Sequence, residues 1–489
     1  MIELKKNAFK PNIIESNPEA FGLRTKEIIN SVEALLNYQS IFVTGSRGIG
    51  KSSLGSQLQK VLKGDNTLLD RCYIKSKSNN FLCIFYACGK DTTIEELCLD
   101  ILYSLEKQLL TLPKLSLQKL KPTIELNFGV FKAKFEAEVE AKKISPSSIA
   151  NRFIDTIKTV YEKAIQLEIF SGINIMVDEV DQLSSSINFG HFIKIIHETL
   201  SNLECTKLTF IFAGQLGSYT RFNKEDPSFE RIVKCIPLDK LSWEATDYIL
   251  TYAASNCRPV FSFKEDAKQL LLSLASGYPY LVHLLGDGCF RELTNSSYVN
   301  KQTVLTSLEN IILSDKREKF TQKLKELSHL ERKLLFNLSA LPPTSLPAEI
   351  PYESILDLNI KGAEKNNKLS EILEALEIKD ILYSKREKTV FYFSEELFRI
   401  FISYLRIEMS YSKTMQRKAE AKNNEDIVDK RNEEDREIQR FIAEGIVDNS
   451  LIDSLSTKER KKLLDEYLNS SLSSNYLNAW EDDDFTFGS

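Results

Sequence analysis

Long apolar runs are absent from this sequence of 489 residues, and no stretch approaches the length that spans a lipid bilayer. The first residues also lack the apolar core of a signal peptide, so we expect a cytoplasmic protein with no membrane partner. An excess of basic residues is missing too. The formal net charge is -5, which excludes a general positive field that would attract nucleic acid. The length predicts about two to four domains.

The sequence has few histidines, and its cysteines lack the spacing that is typical of metal sites. The eight cysteines include no CxxC pair, and the four histidines form no ligand cluster with them. This spacing argues against a structural zinc site. Buried free thiols in a reducing compartment are the expected state of the cysteines.

One glycine-rich segment matches the phosphate-binding loop pattern GxxxxGK[ST] in full. It follows a short apolar run at 39–43 and precedes a helical pattern. Glycines let successive N–H groups turn toward phosphate oxygens, and the helix N-terminus adds partial positive charge. We expect Lys51 to reach the β- and γ-phosphates of ATP and Ser52 to ligate Mg²⁺. A plain glycine turn is the alternative. The candidate nucleotide-binding residues are Gly45, Ser46, Arg47, Gly48, Ile49, Gly50, Lys51, Ser52 and Ser53.

A pair of acidic residues, Asp178 and Glu179, follows the apolar run 173–177. Such a run predicts a buried strand, and ligands bind at the carboxyl ends of strands in parallel sheets. We therefore expect Asp178 to hold Mg²⁺ and Glu179 to orient and polarise the attacking water. A strand followed by an acidic helix cap is the alternative interpretation.

Two further residues are candidates to act at the γ-phosphate. Gln215 follows the predicted strand 208–213 and would help to place the water, unless it is a turn residue. Arg231 precedes the last predicted strand and would reach the γ-phosphate of a neighbouring subunit. The alternative for Arg231 is a surface ion pair with Glu230 or Glu225.

The order of the patterns predicts an α/β fold with a P-loop parallel-sheet ATPase core. An additional strand lies between the two motifs, as in the class with a catalytic glutamate. Strict alternation of apolar and polar residues within 111–146 predicts an inserted β-hairpin. The expected domains are the core at 1–241, a helical lid at 242–318, a winged helix at 319–410, and a charged helical or disordered tail at 411–489.

These motifs together resemble the AAA+ and STAND branch of P-loop ATPases, in particular prokaryotic ATPases related to origin-recognition initiators. The residues Phe-Gly-Leu-Arg at 21–24 are similar to an adenine-contacting F-x-G-R motif, which implies nucleotide contacts for Phe21 and Arg24. The segment 277–281 resembles the lid motif of the family. Tyr280 stands where many AAA+ members carry a sensing arginine, which favours the STAND side. The resemblance covers about 15–408.

The resemblance implies an ATP-driven switch that forms homo-oligomers and controls a separate effector protein, in genome maintenance, mobile elements or anti-phage defence. The alternative is a DNA-binding initiator or loader that places the winged helix and the hairpin on duplex DNA. A third possibility is a module that binds ATP without turnover. Three glutamates in the presumed recognition helix argue against DNA, whereas the turn 385–388 is basic. The acidic-aromatic end 480–487 would dock a protein partner or form a solvated tail.

Overall fold

The computed structural model separates the chain into two compact units. The first is Asn12–Leu241, and the second runs from Ser242 onward together with the segment that ends at Pro11. The structure describes residues 5–75, 79–110, 153–162, 168–184, 186–293, 296–312, 316–341, 349–358, 360, 366–385 and 388–406. The predicted hairpin at 111–146 and the tail at 411–489 lie outside the described residues. None of the described helices is both long and apolar enough to cross a membrane.

The first unit is built on a parallel sheet of five strands in the order β2-β3-β4-β1-β5. The strands are β1 Ser40–Thr44, β2 Phe81–Ala87, β3 Gly172–Asp178, β4 Leu208–Gly214 and β5 Val233–Pro237. All residues of β1 and β3 are buried, as their continuous apolar runs predict. Because β4 lies between β1 and β3, the two motif-bearing strands are separated by one strand. The predicted P-loop ATPase core with an additional strand is confirmed.

Helices flank this sheet and bury one apolar face each. In β2 only the first four residues are fully buried and Phe85 is exposed, because β2 is the last strand of the sheet as described. The predicted buried strand at 81–86 is therefore only half right. The helices of the first unit are Thr25–Leu36, Lys51–Leu62, Thr67–Arg71, Ile94–Leu110, 153–162, Phe189–Asn202, Leu216–Glu225 and Phe229–Ile232.

Five phenylalanines form an aromatic cluster between the sheet and the helices near its carboxyl end. They are Phe42, Phe189, Phe212, Phe222 and Phe229, and each has no exposed surface. Several pairs meet edge to face, for example Phe222 and Phe229 with ring centroids 5.6 Å apart. Such pairs add about 0.5–1.5 kcal/mol each beyond the burial of their area. The cluster therefore holds the short helix Phe229–Ile232 firmly against the core.

The second unit begins with the predicted helical segment and contains two short strands that periodicity did not reveal. Ser262–Phe263 pairs with Tyr298–Val299 in parallel. Strands of two residues are too short to show an alternating pattern, so helices alone were expected from 242 onward. Tyr280 lies under the ammonium group of Lys316, 4.7 Å from the ring centroid. The helices here are Trp243–Asn256, Glu265–Ala275, Pro279–Glu292 and Lys301–Asn310.

The segment that ends at Pro11 groups with the second unit, whereas the predicted core begins at residue 1. Lys6 and Arg258 exchange two main-chain hydrogen bonds of 2.9 and 2.8 Å. Phe9 is buried and its ring lies where a side chain on Gly286 would stand. These contacts join positions far apart in the chain, which local patterns do not reveal.

The remaining described residues, in the region predicted as a winged helix, form helices and a β-hairpin. The hairpin strands Leu382–Lys385 and Val390–Phe393 are antiparallel, and Ile350–Pro351 adds a third strand. Residues 386–387 of the basic turn lie outside the described residues, and the identification of a winged helix stays a prediction. The predicted lid at 242–318 and this region fall in one compact unit. The helices are Arg317–Lys325, His329–Leu338, Tyr352–Leu356, Asn366–Ile378 and 396–406.

Candidate nucleotide-binding site

The glycine-rich loop joins β1 to the helix Lys51–Leu62 at the carboxyl edge of the sheet. Gly45 and Gly50 have φ angles of 154° and 101°, in the range that side-chain-bearing residues rarely adopt. A Cβ atom on Gly45 would lie 2.9 Å from the carbonyl oxygen of Leu238. Gly50 caps the helix in a left-handed conformation. The loop therefore has the backbone form that turns N–H groups toward an anion.

The ammonium group of Lys51 lies over this loop. It donates hydrogen bonds to the carbonyl oxygens of Gly45, at 2.8 Å, and Ser46, at 3.0 Å. The amino group is therefore held at the mouth of the loop. At the tip of the loop Arg47 is exposed, whereas Ile49 is buried.

Ser52 and Asp178 come together although they are far apart in the sequence. The Ser52 hydroxyl donates a hydrogen bond to the Asp178 carboxylate, and the Glu179 amide donates to Asp178 Oδ1 at 2.9 Å. Burial raises the pKa of Asp178, and the hydrogen bonds from Ser52 and Glu179 and the charge of Lys51 oppose this shift. A hydroxyl and a carboxylate side by side are the oxygen donors that Mg²⁺ takes beside substrate phosphates. The residues present therefore fit the metal that the sequence predicts.

Glu179 is exposed at the end of β3, next to Asp178. Its φ is 53°, a left-handed conformation that is uncommon for a residue with a side chain. The buried Val180 and the short helix Val180–Gln182 follow, and the Gln182 amide donates to the Glu179 carbonyl at 2.8 Å. This turn fixes the backbone from which the Glu179 carboxylate extends.

Gln215 follows β4 at the same edge of the sheet. The preceding residue, Gly214, is in register with Thr44 at the end of β1, so Gln215 lies beside the loop-bearing strand. Gln215 is also the N-cap residue of the helix Leu216–Glu225, and its carbonyl accepts a hydrogen bond from the Ser218 amide at 3.0 Å. The structure is thus compatible with both interpretations of Gln215, the polar site residue and the turn residue.

Arg231 is exposed on the one-turn helix Phe229–Ile232. Its Nη2 donates to Ser228 Oγ at 3.3 Å. Among the described ion pairs, Arg231 is joined to neither Glu225 nor Glu230. Glu225 instead accepts from the Gly190 amide at 2.8 Å. The role of Arg231 at a neighbour's γ-phosphate stays a prediction.

Arg24 is buried, and its guanidinium binds main-chain oxygens. Nη2 donates to the Ile49 carbonyl at 2.7 Å, and Nη1 donates to the Asp239 carbonyl. Burial lowers the pKa of Arg24 to about 10, against the opposing charges of Glu27 and Asp239. Arg24 therefore supports the phosphate loop through the Ile49 carbonyl, and the nucleotide contact expected of it stays a prediction.

Phe21 and Ser53, for which nucleotide contacts stay a prediction, have contacts that involve the segment before the first helix. Phe21 is 6% exposed, and its carbonyl accepts from Arg71 Nη1 at 2.9 Å. The Ser53 hydroxyl accepts from the Glu15 amide at 3.1 Å. Both residues fix the segment that leads into the helix before the phosphate loop.

No protein-family model and no curated protein sequence matches the chain. Several solved structures are similar to it. A Walker-type ATPase of Pyrococcus abyssi is 16% identical with a TM-score of 0.49, and the match covers 82% of this chain and 99% of that one. The Cdc6p protein of Pyrobaculum aerophilum is 14% identical, with a TM-score of 0.40 and coverage of 81% and 97%. The Orc1 protein of Aeropyrum pernix, solved in complex with DNA, is 13% identical, with a TM-score of 0.39 and coverage of 81% and 95%.

The strand order and the loop together decide the fold. A parallel sheet places β4 between the loop-bearing β1 and the acidic β3, and the glycine loop leads from β1 into a helix. The first unit has the P-loop ATPase fold.

Proposed function

We propose that the chain binds ATP with Mg²⁺ and hydrolyses it. The observation that carries this proposal is the hydrogen bond between Ser52 and the buried Asp178 carboxylate at the edge where the glycine loop ends. It joins the phosphate-loop motif and the acidic motif into one site. Glu179, exposed beside them, supports hydrolysis rather than binding alone.

The backbone amides of the loop and the ammonium group of Lys51 would bind the phosphates. In the structure Lys51 donates to the Gly45 and Ser46 carbonyls. Phosphate oxygens carry negative charge and are stronger acceptors, so Lys51 would exchange these neutral acceptors for the β- and γ-phosphates. Ser52 and Asp178 would hold Mg²⁺, which neutralises charge on the phosphates when it is bound.

Glu179 would accept a proton from the attacking water and orient it. A general base needs an ionised carboxylate within hydrogen-bond reach of that water, and Glu179 is exposed on a fixed turn at the end of β3. Gln215, at the neighbouring strand end, would hold the same water from the other side.

We further propose that the chain acts as an ATP-driven switch in a homo-oligomer. Support comes from Arg231, which is exposed on a rigid turn and has a single neutral hydrogen-bond partner among the described contacts. An arginine that completes a neighbour's site is worth about three to five decades in rate. The oligomer would control a separate effector protein, in genome maintenance, mobile-element control or anti-phage defence.

The variant Glu179→Gln tests the site most directly. It should bind ATP as the wild type does, lose turnover by about two decades or more, and trap the assembled state. Lys51→Ala should lose ATP binding itself. Asp181→Asn, which removes a carboxylate two residues further along, is the matched control and should keep most of the activity. Turnover that persists in Glu179→Gln would contradict the role given to this residue.

The alternative function, a DNA-binding initiator, has less support from the described residues. In the helix Asn366–Ile378, Glu371 and Glu374 are exposed and would face DNA phosphates with like charge. The ammonium group of Lys388 in the basic turn lies 3.7 Å from the Glu377 carboxylate, whose negative charge offsets the positive charge of the lysine. Binding of a DNA duplex at low salt, weakening steeply as salt is added, would favour this alternative over the switch.

A further inference from the structure

The short helix that carries Arg231 is fixed by the carboxylate of Asp226. Asp226 Oδ1 accepts from the Ser228 amide at 2.9 Å, and the Asp226 carbonyl accepts from the Phe229 amide at 3.0 Å. Ser228 Oγ in turn accepts from Arg231 Nη2 at 3.3 Å. A continuous path of hydrogen bonds thus leads from the Asp226 carboxylate to the guanidinium of Arg231.

The same carboxylate is tied to another element, the helix Phe189–Asn202. Asp226 Oδ2 lies 3.1 Å from His191 Nδ1 and 3.5 Å from Lys194 Nζ. The Ser228 amide, the His191 ring and the charge of Lys194 hold the pKa of Asp226 well below its usual range. The carboxylate is therefore ionised throughout the neutral range and is a permanent acceptor at this junction.

Three further contacts hold this junction of Asp226 with the helix Phe189–Asn202 against the core. The Gly190 amide donates to the Glu225 carboxylate at 2.8 Å. A Cβ atom on Gly190 would overlap the Phe222 carbonyl oxygen, so the two segments approach as closely as glycine permits. Phe229, the first residue of the short helix, is buried in the aromatic cluster. The backbone near Arg231 has little freedom to move.

We propose that Asp226 is a positioning residue for Arg231. It holds the short helix so that the exposed guanidinium points to the γ-phosphate bound by a second copy of this chain. Through His191 and Lys194 it also joins Arg231 to the helix that follows the acidic strand end at Asp178-Glu179. This inference rests on the proposed hydrolysis of ATP at a site shared by two copies.

Replacing Asp226 should affect the chemical step more than binding. A misplacement of about 1 Å can cost about 100-fold in rate, so Asp226→Ala should lower kcat about 10- to 100-fold and change KM less than about threefold. Asp226→Asn keeps an acceptor for the Ser228 amide but loses the charge that attracts Lys194, so its effect should be smaller. A control is Asp247→Ala, which removes another ion-paired aspartate, 2.8 Å from Lys268 Nζ, and should keep activity.

Mixing variants separates a positioning role from a general fold defect. Asp226→Ala subunits keep their own phosphate loop, and Lys51→Ala subunits keep a well-placed Arg231. In a head-to-tail oligomer each site combines the phosphate loop of one subunit with Arg231 of its neighbour. In an equal mixture each of these halves is intact in half of the subunits. About a quarter of the sites are therefore intact, and about a quarter of wild-type activity should return. Arg231→Ala mixed with Lys51→Ala should recover to the same level. Arg231→Ala mixed with Asp226→Ala should show no more activity than Asp226→Ala alone, because both variants are defective in the same half of the site.

The outcomes distinguish failure of this inference from failure of the proposed function. Two results would overturn the positioning role. One is a loss of activity in Asp226→Ala that is not restored by mixing with Lys51→Ala subunits. The other is a wild-type kcat in Asp226→Ala. If the wild type hydrolyses ATP but Arg231→Ala and Lys51→Ala do not restore each other, the shared site fails and this inference falls with it. A melting temperature of Asp226→Ala close to the wild type's would verify that the folded protein is being compared.

Discussion

Replacing Arg24 by methionine tests whether this buried guanidinium supports the phosphate loop or contacts a nucleotide base. Methionine keeps much of the volume but cannot donate to the Ile49 and Asp239 carbonyls. Two buried acceptors without a donor cost about 1–3 kcal/mol each. Part of this is offset because a buried charge is removed: the lowered pKa of Arg24, about 10, corresponds to about 3 kcal/mol of desolvation.

The net change in the free energy of unfolding should therefore be modest, about 1–2 kcal/mol. For a unit of this size that is a fall in Tm of about 2–8 °C, measured by scanning calorimetry. Lys26→Met is the matched control, since it removes a cation from an exposed position of the neighbouring helix. It should leave the Tm nearly unchanged.

The effect on nucleotide binding should be larger than the effect on stability. Ile49 belongs to the loop, and without its donor the loop loses part of the preformed backbone that binds phosphate. Titration calorimetry should show ATP and GTP weakened alike in Arg24→Met, by about tenfold or more, with their ratio unchanged. A selective loss of ATP over GTP would instead support a base contact. Unchanged affinity for both nucleotides would refute the support of the loop by Arg24.

Four further predictions rest on burial and close contacts. Gly190→Ala should lower stability by about 1–3 kcal/mol because its Cβ would overlap the Phe222 carbonyl. Gly217 is a helical glycine with open space around it, so Gly217→Ala should raise stability by about 0.5–1 kcal/mol. Urea titrations of both glycine variants and the wild type measure these changes. Burial lowers the pKa of His283 to about 4, so its stabilising contribution is full above about pH 6.5 and is lost, by as much as about 3 kcal/mol, as the pH falls toward 4. Urea titrations of the wild type and His283→Gln across this range should differ accordingly. Because burial raises the pKa of Asp178, its charge is unfavourable in the folded protein, and Asp178→Asn should raise the Tm without nucleotide at pH 7 while abolishing Mg²⁺-dependent stabilisation by ATP.

Each of these has an outcome that would contradict it. Equal effects of alanine at Gly190 and Gly217 would mean that the close contact with Phe222 relaxes at no cost. A pH dependence that is identical in His283→Gln and the wild type would exclude His283 as its source. A lower Tm for nucleotide-free Asp178→Asn would show that the hydrogen bonds from Ser52 and Glu179 outweigh the desolvation of the carboxylate.

The sequence predicted those parts of the site that local patterns encode. The phosphate loop needs glycines at fixed spacing and a helix directly after them, and the acidic motif needs a buried strand directly before it. Both conditions are visible within a few residues of Lys51 and Asp178. Their meeting at one edge of the sheet followed from the rule that parallel strands place their carboxyl ends together.

The parts that sequence missed depend on distant contacts. Arg24 binds carbonyls 25 and 215 positions away, so nothing near it distinguishes a loop support from a nucleotide contact. Asp226 meets His191 through the approach of two helices, and only the turn-forming run Asp-Pro-Ser gave a local signal. Two-residue strands such as Ser262–Phe263 are likewise shorter than any periodicity can reveal.

Because the segment that ends at Pro11 packs with residues from Ser242 onward, it cannot find its partners until late in synthesis on the ribosome. Lys5 donates to the carbonyl of Leu293, 288 residues further along the chain. At about 5–20 residues per second, the ribosome needs roughly 15–60 s to make the intervening residues. The unit Asn12–Leu241 is complete before this contact can form, and until residues beyond 241 are made Phe9 lacks ring partners such as Phe261. We expect the nascent chain to expose this segment to chaperones until the residues around Gly286 emerge.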